Sequence, residues 1–303
     1  MSTGTARVQR ALRKRPPWCP ILPPVIARTV AVISPGEMGS AVGRRLREAG
    51  LRVVTSLAGR KQRTRSLAAD SGIEDAGSLA AAVRQADVLL SILPPGRALE
   101  LAEAVGCDAG PLYVDCNAVS PATARAIGLA VGGRYIDAGI IGSPDAPRFY
   151  ASGPDAAELA ELPLDVRVLD GEIGQASALK MCYAALTKGL TALLTESMVT
   201  AEVLGVSEAL RSELANSQPM FLAGARHGLP GMVPKAYRWI AEMEQIAATF
   251  EAAGLTPRML LGAADVYRMV EEARSAAGSR ALGSLDSVVE AIRLTLAPAP
   301  PAR

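Results

Sequence analysis

The sequence predicts a doubly wound, mainly parallel α/β sheet followed by an all-α region. Three observations carry this reading. From about residue 28, short apolar runs alternate with amphipathic stretches of about ten residues, the pattern of βαβ units. A turn with two glycines, ISPGEMG, joins the first apolar run to the first amphipathic stretch. After Gly174 the β signal disappears, and only helical periodicity continues.

The elements follow in order. Strands are expected at TVAVI (29–33), LRVVTSL (51–57), ADVLLSIL (86–93), PLYVDC (111–116), RYIDAGII (134–141), RFYASG (148–153) and DVRVLD (165–170). Helices are expected over 38–49, 61–71, 78–85, 96–105 and 121–130. The last has Ser120 as N-cap and Pro121 at its first position, a strong start signal. Residues 175–204 can run as one long helix, and 206–217, 235–253, 257–273 and 283–295 read as helical too. No repeat of fixed period is present. The expected organisation is an extension over 1–27, an α/β domain over 28–173, a helical domain over 174–296 and a tail over 297–303. The extension is basic and Pro-rich, with Arg7, Arg10, Arg13, Lys14 and Arg15 ahead of PPWCPILPP. That composition suits a disordered extension or a transit segment, and it lacks the apolar core of a secretory signal.

Composition narrows the function classes. With 303 residues, half of them apolar, the chain can bury a full core in about two domains. A net charge of +2 and few aromatics give no basis for nucleic-acid or membrane-surface binding. No charge-free stretch of about 18 apolar residues is present. Cys19, Cys107, Cys116 and Cys182 show neither C-x-x-C pairing nor metal-ligand spacing, so no metal site is expected. They read as reduced thiols of a cytoplasmic protein, with Cys116 and Cys182 as small core residues. The single histidine, His227, reads as a loop residue between helices.

The turn has the context of a dinucleotide site: it follows a buried strand, opens a helix, and a second strand begins some twenty residues on. Gly36 allows backbone to approach a pyrophosphate, and Gly39 allows the helix to lie close to the strand. Small Ala41 and Gly43 suit the same packing. Ser34 stands where the first glycine of G-x-G-x-x-G belongs, and its hydroxyl can serve as a donor near the phosphate. Pro35 fixes φ and lacks an N–H. Glu37 and Met38 complete the turn. The second strand ends without the carboxylate that binds a ribose 2′-hydroxyl in NAD sites. Arg60, Lys61 and Arg63 follow instead, which favours NADP(H) over NAD(H), because a 2′-phosphate suits an arginine fork. Two later strands end in SILPPG and DCNAVSP. Leu93 and Pro94 are candidates for an apolar wall beside the nicotinamide, and Asn117 for a polar contact to cofactor or substrate.

Lysine is rare here, and Lys180 lies in GEIGQASALKMCYAALTKGLTALL. On a helix, Lys180, Ala184, Thr187 and Thr191 share a face of small residues. Leu179, Leu186, Leu190 and Leu193 share another, which reads as core. A lysine projecting from a face of small residues near a domain boundary can reach into a cleft. There it can serve as the proton donor or acceptor that hydride chemistry on an alcohol or carbonyl needs. The apolar surface of this helix exceeds what packing within one domain requires, so a homodimer through the helical domain is expected.

Together these residues resemble the β-hydroxyacid dehydrogenase superfamily, which includes 3-hydroxyisobutyrate and 6-phosphogluconate dehydrogenases. Its pattern G-x-x-G-x-G-x-x-x-K-x-x-x-N falls on Gly171, Gly174, Ala176, Lys180 and Ala184, so the third glycine and the asparagine are replaced by alanine. Its cofactor turn G-x-G-x-M-G falls on Ser34, Gly36, Met38 and Gly39. Its substrate loop D-x-P-V-S-G-G falls on DAGIIGS, with Asp137, Gly142 and Ser143 in register and Ile141 at the carboxylate-binding serine. Its K-D-L-x-x-A helix is similar to EMEQIAATFEAAGLTP, with Ala241 for the lysine, Glu242 for the aspartate and Arg238 one turn earlier. The likeness spans residues 28 to about 270 and is closest to a branch whose C-terminal domain has no assigned function.

The resemblance implies a Rossmann domain, a helical dimerisation domain, and hydride transfer between NADP(H) and a hydroxy acid or related small alcohol or carbonyl. Lys180 is then the general acid/base, and Asn117, Ile141, Gly142, Ser143, Tyr183, Ala184, Arg238 and Glu242 surround the substrate. The changes at Ala184 and Ile141 imply a bulkier or less acidic substrate than a simple 3-hydroxy acid, with Tyr183 or Asn117 as replacement partners. Three alternatives share the fold: an imine reductase, a redox-neutral lyase and a non-catalytic NADP(H)-binding protein.

Overall fold

A computed structural model describes residues 27–106 and 110–296. The expected extension up to residue 26, Cys19 and Cys107, and the tail from residue 297 lie outside the described residues. The chain divides into two compact units, separated between Met181 and Cys182.

The first unit runs β1 (Thr29–Ile33), α1 (Glu37–Glu48), β2 (Arg52–Thr55), α2 (Gln62–Asp70), β3 (Glu74–Asp75), α3 (Leu79–Gln85), β4 (Val88–Ser91), α4 (Ala98–Val105), β5 (Leu112–Asp115), α5 (Pro121–Val131), β6 (Tyr135–Ile141), β7 (Arg148–Ser152), α6 (Ala156–Leu159) and β8 (Asp165–Val168). The strands form one sheet in the order β3-β2-β1-β4-β5-β6-β7-β8. Every neighbouring pair is parallel except β6 with β7. The order reverses at β1, the topology of a doubly wound sheet whose ligands bind beyond the strand C-termini. Both faces are covered, which is why the strands read as near-continuous apolar runs. Val32, Leu90, Val114, Ile136 and Phe149 pack on one face with Val42 and Leu46 of α1. Ala31, Leu89, Tyr113 and Tyr135 pack on the other with Ile127 of α5.

A polar row crosses this apolar sheet. Ser91 is the register partner of Asp115, Asp115 of Asp137, and Asp137 of Ser152. All four are fully buried. Burial, reinforced by the neighbouring Asp137, pushes the Asp115 carboxyl up to about 8, against opposing hydrogen bonds from Asn117 and Ser91. Asp115 therefore keeps its proton at neutral pH. Burial and the same carboxyl groups push the Cys116 thiol up, which makes it an inert core residue, as the sequence suggests.

The second unit takes the later part of α7 (Gln175–Val203), then α8 (Ser207–Ser217), α9 (Pro219–Met232), α10 (Ala236–Ala252), α11 (Arg258–Ala277) and α12 (Leu285–Arg293). The antiparallel pair α10 and α11 forms its most extensive packing. Within this unit the Lys188 ammonium pairs with Glu242 at 2.7 Å and lies 5.3 Å from the Trp239 ring centroid, and Tyr267 donates to the Lys188 carbonyl. No helix of the described residues is long and apolar enough to cross a membrane.

Several sequence expectations need correction. β3, α6 and α9 were not expected. β3 is two residues long and exposed, so no periodicity marks it. α9 carries Pro230 and three glycines in its interior, and burial of Leu222, Ala225, Leu229 and Met232 overrides that poor propensity. His227 is therefore an exposed helical residue, with Nδ1 3.0 Å from the Ala223 carbonyl oxygen, and not a loop residue. Leu179, Leu186, Leu190 and Leu193 are exposed, not core, because none of the described residues buries that face of α7. Cys182 is exposed as well.

The protonated Asp115 makes stability pH-dependent. Unfolded, it releases its proton above about pH 4, while folded it keeps it to about pH 8. The folded state then binds more protons between these values, so stability falls as pH rises through that window and levels off above it. Asp115→Asn is expected to flatten this slope in urea titrations run from pH 5 to pH 8. A slope equal to that of the wild type would show that Asp115 is already ionised in the folded protein.

Candidate active site

β1 delivers the chain into α1 through a tight turn at Ser34–Gly36. Ser34 has φ 67°, the only positive φ at a non-glycine position among the described residues. This is the conformation for which the glycine of G-x-G-x-x-G is suited, and a short polar side chain tolerates it at a cost of about 1 kcal/mol. The Gly36 N–H closes the bend on the Ser34 carbonyl at 2.7 Å, and Ser40 Oγ donates to the Pro35 carbonyl at 2.9 Å.

The two glycines do different work. A Cβ on Gly39 would lie 2.9 Å from the Ser34 carbonyl oxygen, so Gly39 lets α1 pass close to the turn. A Cβ on Gly36 would meet nothing within 4 Å, and its φ of −73° suits any residue. Neither the backbone nor packing among the described residues requires glycine at 36. Gly36 is also the N-cap of α1 and provides no side-chain cap, which leaves first-turn N–H groups facing the same space. A dinucleotide pyrophosphate fits this cradle. Glu37 and Met38 lie in that first turn, Glu37 exposed and Met38 half-buried.

At the end of β2, Arg60 and Lys61 are exposed and have no ion-pair partner among the described residues. Arg63, in α2, pairs with Glu37 across the turn. Asp75 accepts the Leu57 and Gly77 N–H groups, which hold its carboxyl below the usual range and tie the loop after β2 to β3.

β4 and β5 end at the same sheet edge as β1. Asn117, just after β5, is buried, with both N–H groups of its amide engaged. Its Oδ1 accepts from the Leu93 N–H, and its Nδ2 donates to Asp115 and, at 2.8 Å, to Ser91 Oγ. The asparagine clamps the Leu93–Pro94 loop to β5, leaving Leu93 half-buried and Pro94 exposed.

The lysine is positioned by a carboxylate. Asp137 Oδ2 accepts from the N–H groups of Gly174 (2.8 Å) and Ser177 (3.1 Å) and from Ser152 Oγ (2.9 Å), and Oδ1 accepts from Ser177 Oγ (2.6 Å). Ser152 Oγ in turn accepts from the Ala176 N–H at 2.9 Å. Asp137 and Ser152 thus take the free N–H groups that open α7, with the carboxylate at the positive end of the helix dipole. Gly139 on the same strand lets α7 settle onto the sheet. A Cβ there would lie 3.0 Å from the Lys180 Cβ and 3.2 Å from the Ala176 carbonyl oxygen. Lys180, one turn after Ser177, then donates from Nζ to the Ile140 carbonyl at 2.7 Å, near the carboxyl end of β6.

The remaining predicted residues fall as follows. Ile141 closes β6 and is buried, while Gly142 and Ser143 are exposed in the β6–β7 hairpin. Gly142 has φ 114°, and a Cβ on it would meet the Ala146 carbonyl oxygen at 2.4 Å. Tyr183, Ala184, Arg238 and Glu242 belong to the second unit. Tyr183 is exposed, Ala184 fully buried, Glu242 is paired with Lys188, and the Arg238 guanidinium stacks 5.7 Å from the Tyr237 ring centroid. The cofactor turn, Leu93, Asn117, the hairpin and Lys180 therefore share one edge of a single sheet. Sequence reasoning missed Ser152 and Ser177 as anchors and Arg148 beside the hairpin. Asp137 was legible only as a motif position.

Residues 29–119 match the family model described as NADP oxidoreductase, coenzyme F420-dependent, and residues 201–270 match a domain of unknown function, DUF1932. The conserved protein MTH1747, of unknown function and structurally similar to 3-hydroxyacid dehydrogenases, is 32% identical, with 82% of this chain and 98% of that chain covered and a TM-score of 0.62. The chain belongs to the β-hydroxyacid dehydrogenase superfamily. A 28.5 kDa protein in the 7S RNA 5′ region of Methanothermus fervidus is 26% identical over 249 residues, 80% of this chain and 99% of that one. The fold is also that of Mycobacterium tuberculosis 3-hydroxyisobutyrate dehydrogenase, solved with L-serine, at 22% identity, 88% and 100% coverage and a TM-score of 0.61. The β-hydroxyacid dehydrogenase fold brings with it a nicotinamide-cofactor-binding domain, and the turn built on Ser34, Gly36 and Gly39 suits that use.

The two glycines of the turn separate binding from folding. Gly36→Val is expected to leave the melting temperature within about 2 °C of wild type while weakening NADPH binding at least about tenfold, because the new side chain fills ligand space. Gly39→Val is expected to cost roughly 2 kcal/mol of stability through overpacking. Loss of stability in Gly36→Val with NADPH affinity intact would show that the space above residue 36 does not serve the cofactor.

Proposed function

We propose that this protein is an NADP-dependent oxidoreductase acting on a hydroxy acid or related alcohol or carbonyl compound, with Lys180 as general acid/base. The observation that carries this reading is the Lys180 ammonium, held 2.7 Å from the Ile140 carbonyl at the carboxyl end of β6 by an anchored helix. When bound, NADP(H) supplies or accepts the hydride. Lys180 donates a proton to the developing alkoxide during reduction and removes one from the hydroxyl during oxidation. The Gly36 cradle and the first turn of α1 hold the pyrophosphate. Arg60 and Lys61 have no ion-pair partner among the described residues and would hold the 2′-phosphate; Arg63 would act partly through Glu37. Asn117 acts through the Leu93 loop that it ties down, which would supply an apolar wall for the nicotinamide. On this reading 28–173 is the cofactor domain and 174–296 the substrate and dimerisation domain of a cytoplasmic enzyme.

A specific observation supports a homodimer. Leu179, Tyr183, Leu186, Leu190 and Leu193 are all exposed on α7 and alternate at four- and three-residue spacing, the seam of two packed helices. An apolar stripe of this length is rarely left to water in a monomer.

Two experiments test these readings. Lys180→Met is expected to lower turnover of small hydroxy acids and of their oxo counterparts roughly a hundred- to ten-thousand-fold with NADPH affinity unchanged, while Arg60→Ala weakens NADPH about tenfold and leaves NADH unaffected. Full turnover in Lys180→Met, or turnover of cyclic imines alone, would move the assignment to another reaction on the same fold. The double variant Leu186→Glu, Leu193→Glu is expected to sediment as a monomer with unchanged far-ultraviolet circular dichroism; a variant that remains dimeric would exclude this stripe as the interface.

A further inference from the structure

The β6–β7 hairpin carries a cation that no role so far absorbs. Arg148 opens β7 and is the register partner of Ile141, while Tyr150 is the partner of Gly139. Residues 139 and 141 alternate onto the same face of the sheet, and cross-strand partners share a face. That face is the one against which Lys180 packs, because the Lys180 Cβ is what a side chain at 139 would strike. Two residues along a strand span about 6.6 Å, and a cross-strand pair is about 5 Å apart. The two cationic side chains therefore rise from neighbouring points of one surface. The Arg148 guanidinium reaches past the strand end: its Nη1 is 3.6 Å from where a Cβ on Gly142 would stand, beside the exposed loop 142–143.

No carboxylate among the described residues faces it. Arg52, Arg63, Arg97, Arg134 and Arg167 of the same unit each face one, while Arg148, like the exposed Arg60, does not. Arg148, half-buried, has no ion pair, side-chain hydrogen bond or aromatic contact among the described residues. A guanidinium fork offers five donors with the geometry of a carboxylate acceptor. Ile141 beside it is buried and apolar and offers none. The hairpin that carries Arg148 is itself tied down, since Arg45 donates to the Asp145 carbonyl.

We propose that Arg148 is the anion anchor of the substrate site, gripping a carboxylate so that the reacting carbon lies toward Lys180. This rests on the reading of Lys180 given above and sharpens it: the substrate is an acid, recognised by a side chain on β7, and neutral alcohols are discriminated against.

The test is calorimetric titration of the NADP⁺-loaded protein with 3-hydroxyisobutyrate and with its methyl ester. Wild type is expected to bind the acid at least about tenfold more tightly than the ester, the gain of a charge-assisted pair. Arg148→Met should remove that advantage and leave the ester affinity, the NADP⁺ affinity and the melting temperature unchanged, and Arg148→Lys should restore part of it. Equal affinity for acid and ester in wild type, absence of binding by either, or undiminished acid binding in Arg148→Met would overturn the proposal. The readout needs no turnover. Arg148-dependent acid binding without oxidation in any screen would remove the proposed reaction and keep the anchor. Oxidation with an acid-to-ester ratio untouched by Arg148→Met would do the reverse.

Discussion

Asp137 is the group on which the rest of the active edge depends. It sits on a fully buried strand position and accepts four hydrogen bonds, three of them from residues that open α7. A long helix begins with N–H groups that have no partner within the helix, and burying them without acceptors is costly. Asp137 and Ser152 answer that cost at the point where the sheet ends and the helical region starts. Because the helix is fixed at its first turn, the residue one turn later is fixed as well, and that residue is Lys180. The nearby Asp115 carries a proton, so the polar row adds acceptors without stacking two full negative charges side by side.

The cofactor turn is built on the opposite logic. Its helix, α1, begins without a side-chain cap, and its first glycine opens onto unfilled space. One helix N-terminus is met by the protein's own carboxylate, and the other has no side-chain cap. The same dipole physics anchors the helix that carries Lys180 in the first case and leaves first-turn N–H groups without a side-chain acceptor in the second. Ser34 shows how far the fingerprint can drift. Its left-handed backbone is the feature the turn needs, and serine can adopt it.

Superfamily membership accounts for the scaffold, while the departures define this branch. Ile141 and Ala184 are buried apolar residues at positions where the resemblance expects polar partners. Glu242 stands at the aspartate position of the helical motif, and its charge is spent on Lys188. Arg148, across the hairpin from Ile141, has no ion pair among the described residues.

The sequence by itself determined the alternation of strands and helices, the change to an all-helical region after Gly174, the turn at Gly36 and Gly39, and Lys180 as a residue to watch. Each of these is a local signal: period two against period 3.6, backbone freedom at a turn, a motif of fixed spacing. Only the tertiary structure decided what the local pattern leaves open. The apolar stripe of α7 has the same periodicity whether it faces a core or solvent, so its exposure could not be read from spacing. α9 forms against its own glycines and Pro230 because burial outweighs propensity. Asn117 reads as a ligand contact from its motif, and only the fold shows that its amide also holds a loop. Arg148 sits only seven positions after Ile141 in the chain, but what makes it notable is the antiparallel register that sets the two side by side on the face of Lys180. Pairing across strands and saturation of buried donors are properties of the folded chain, because they depend on which partners remain once every other group has found its own.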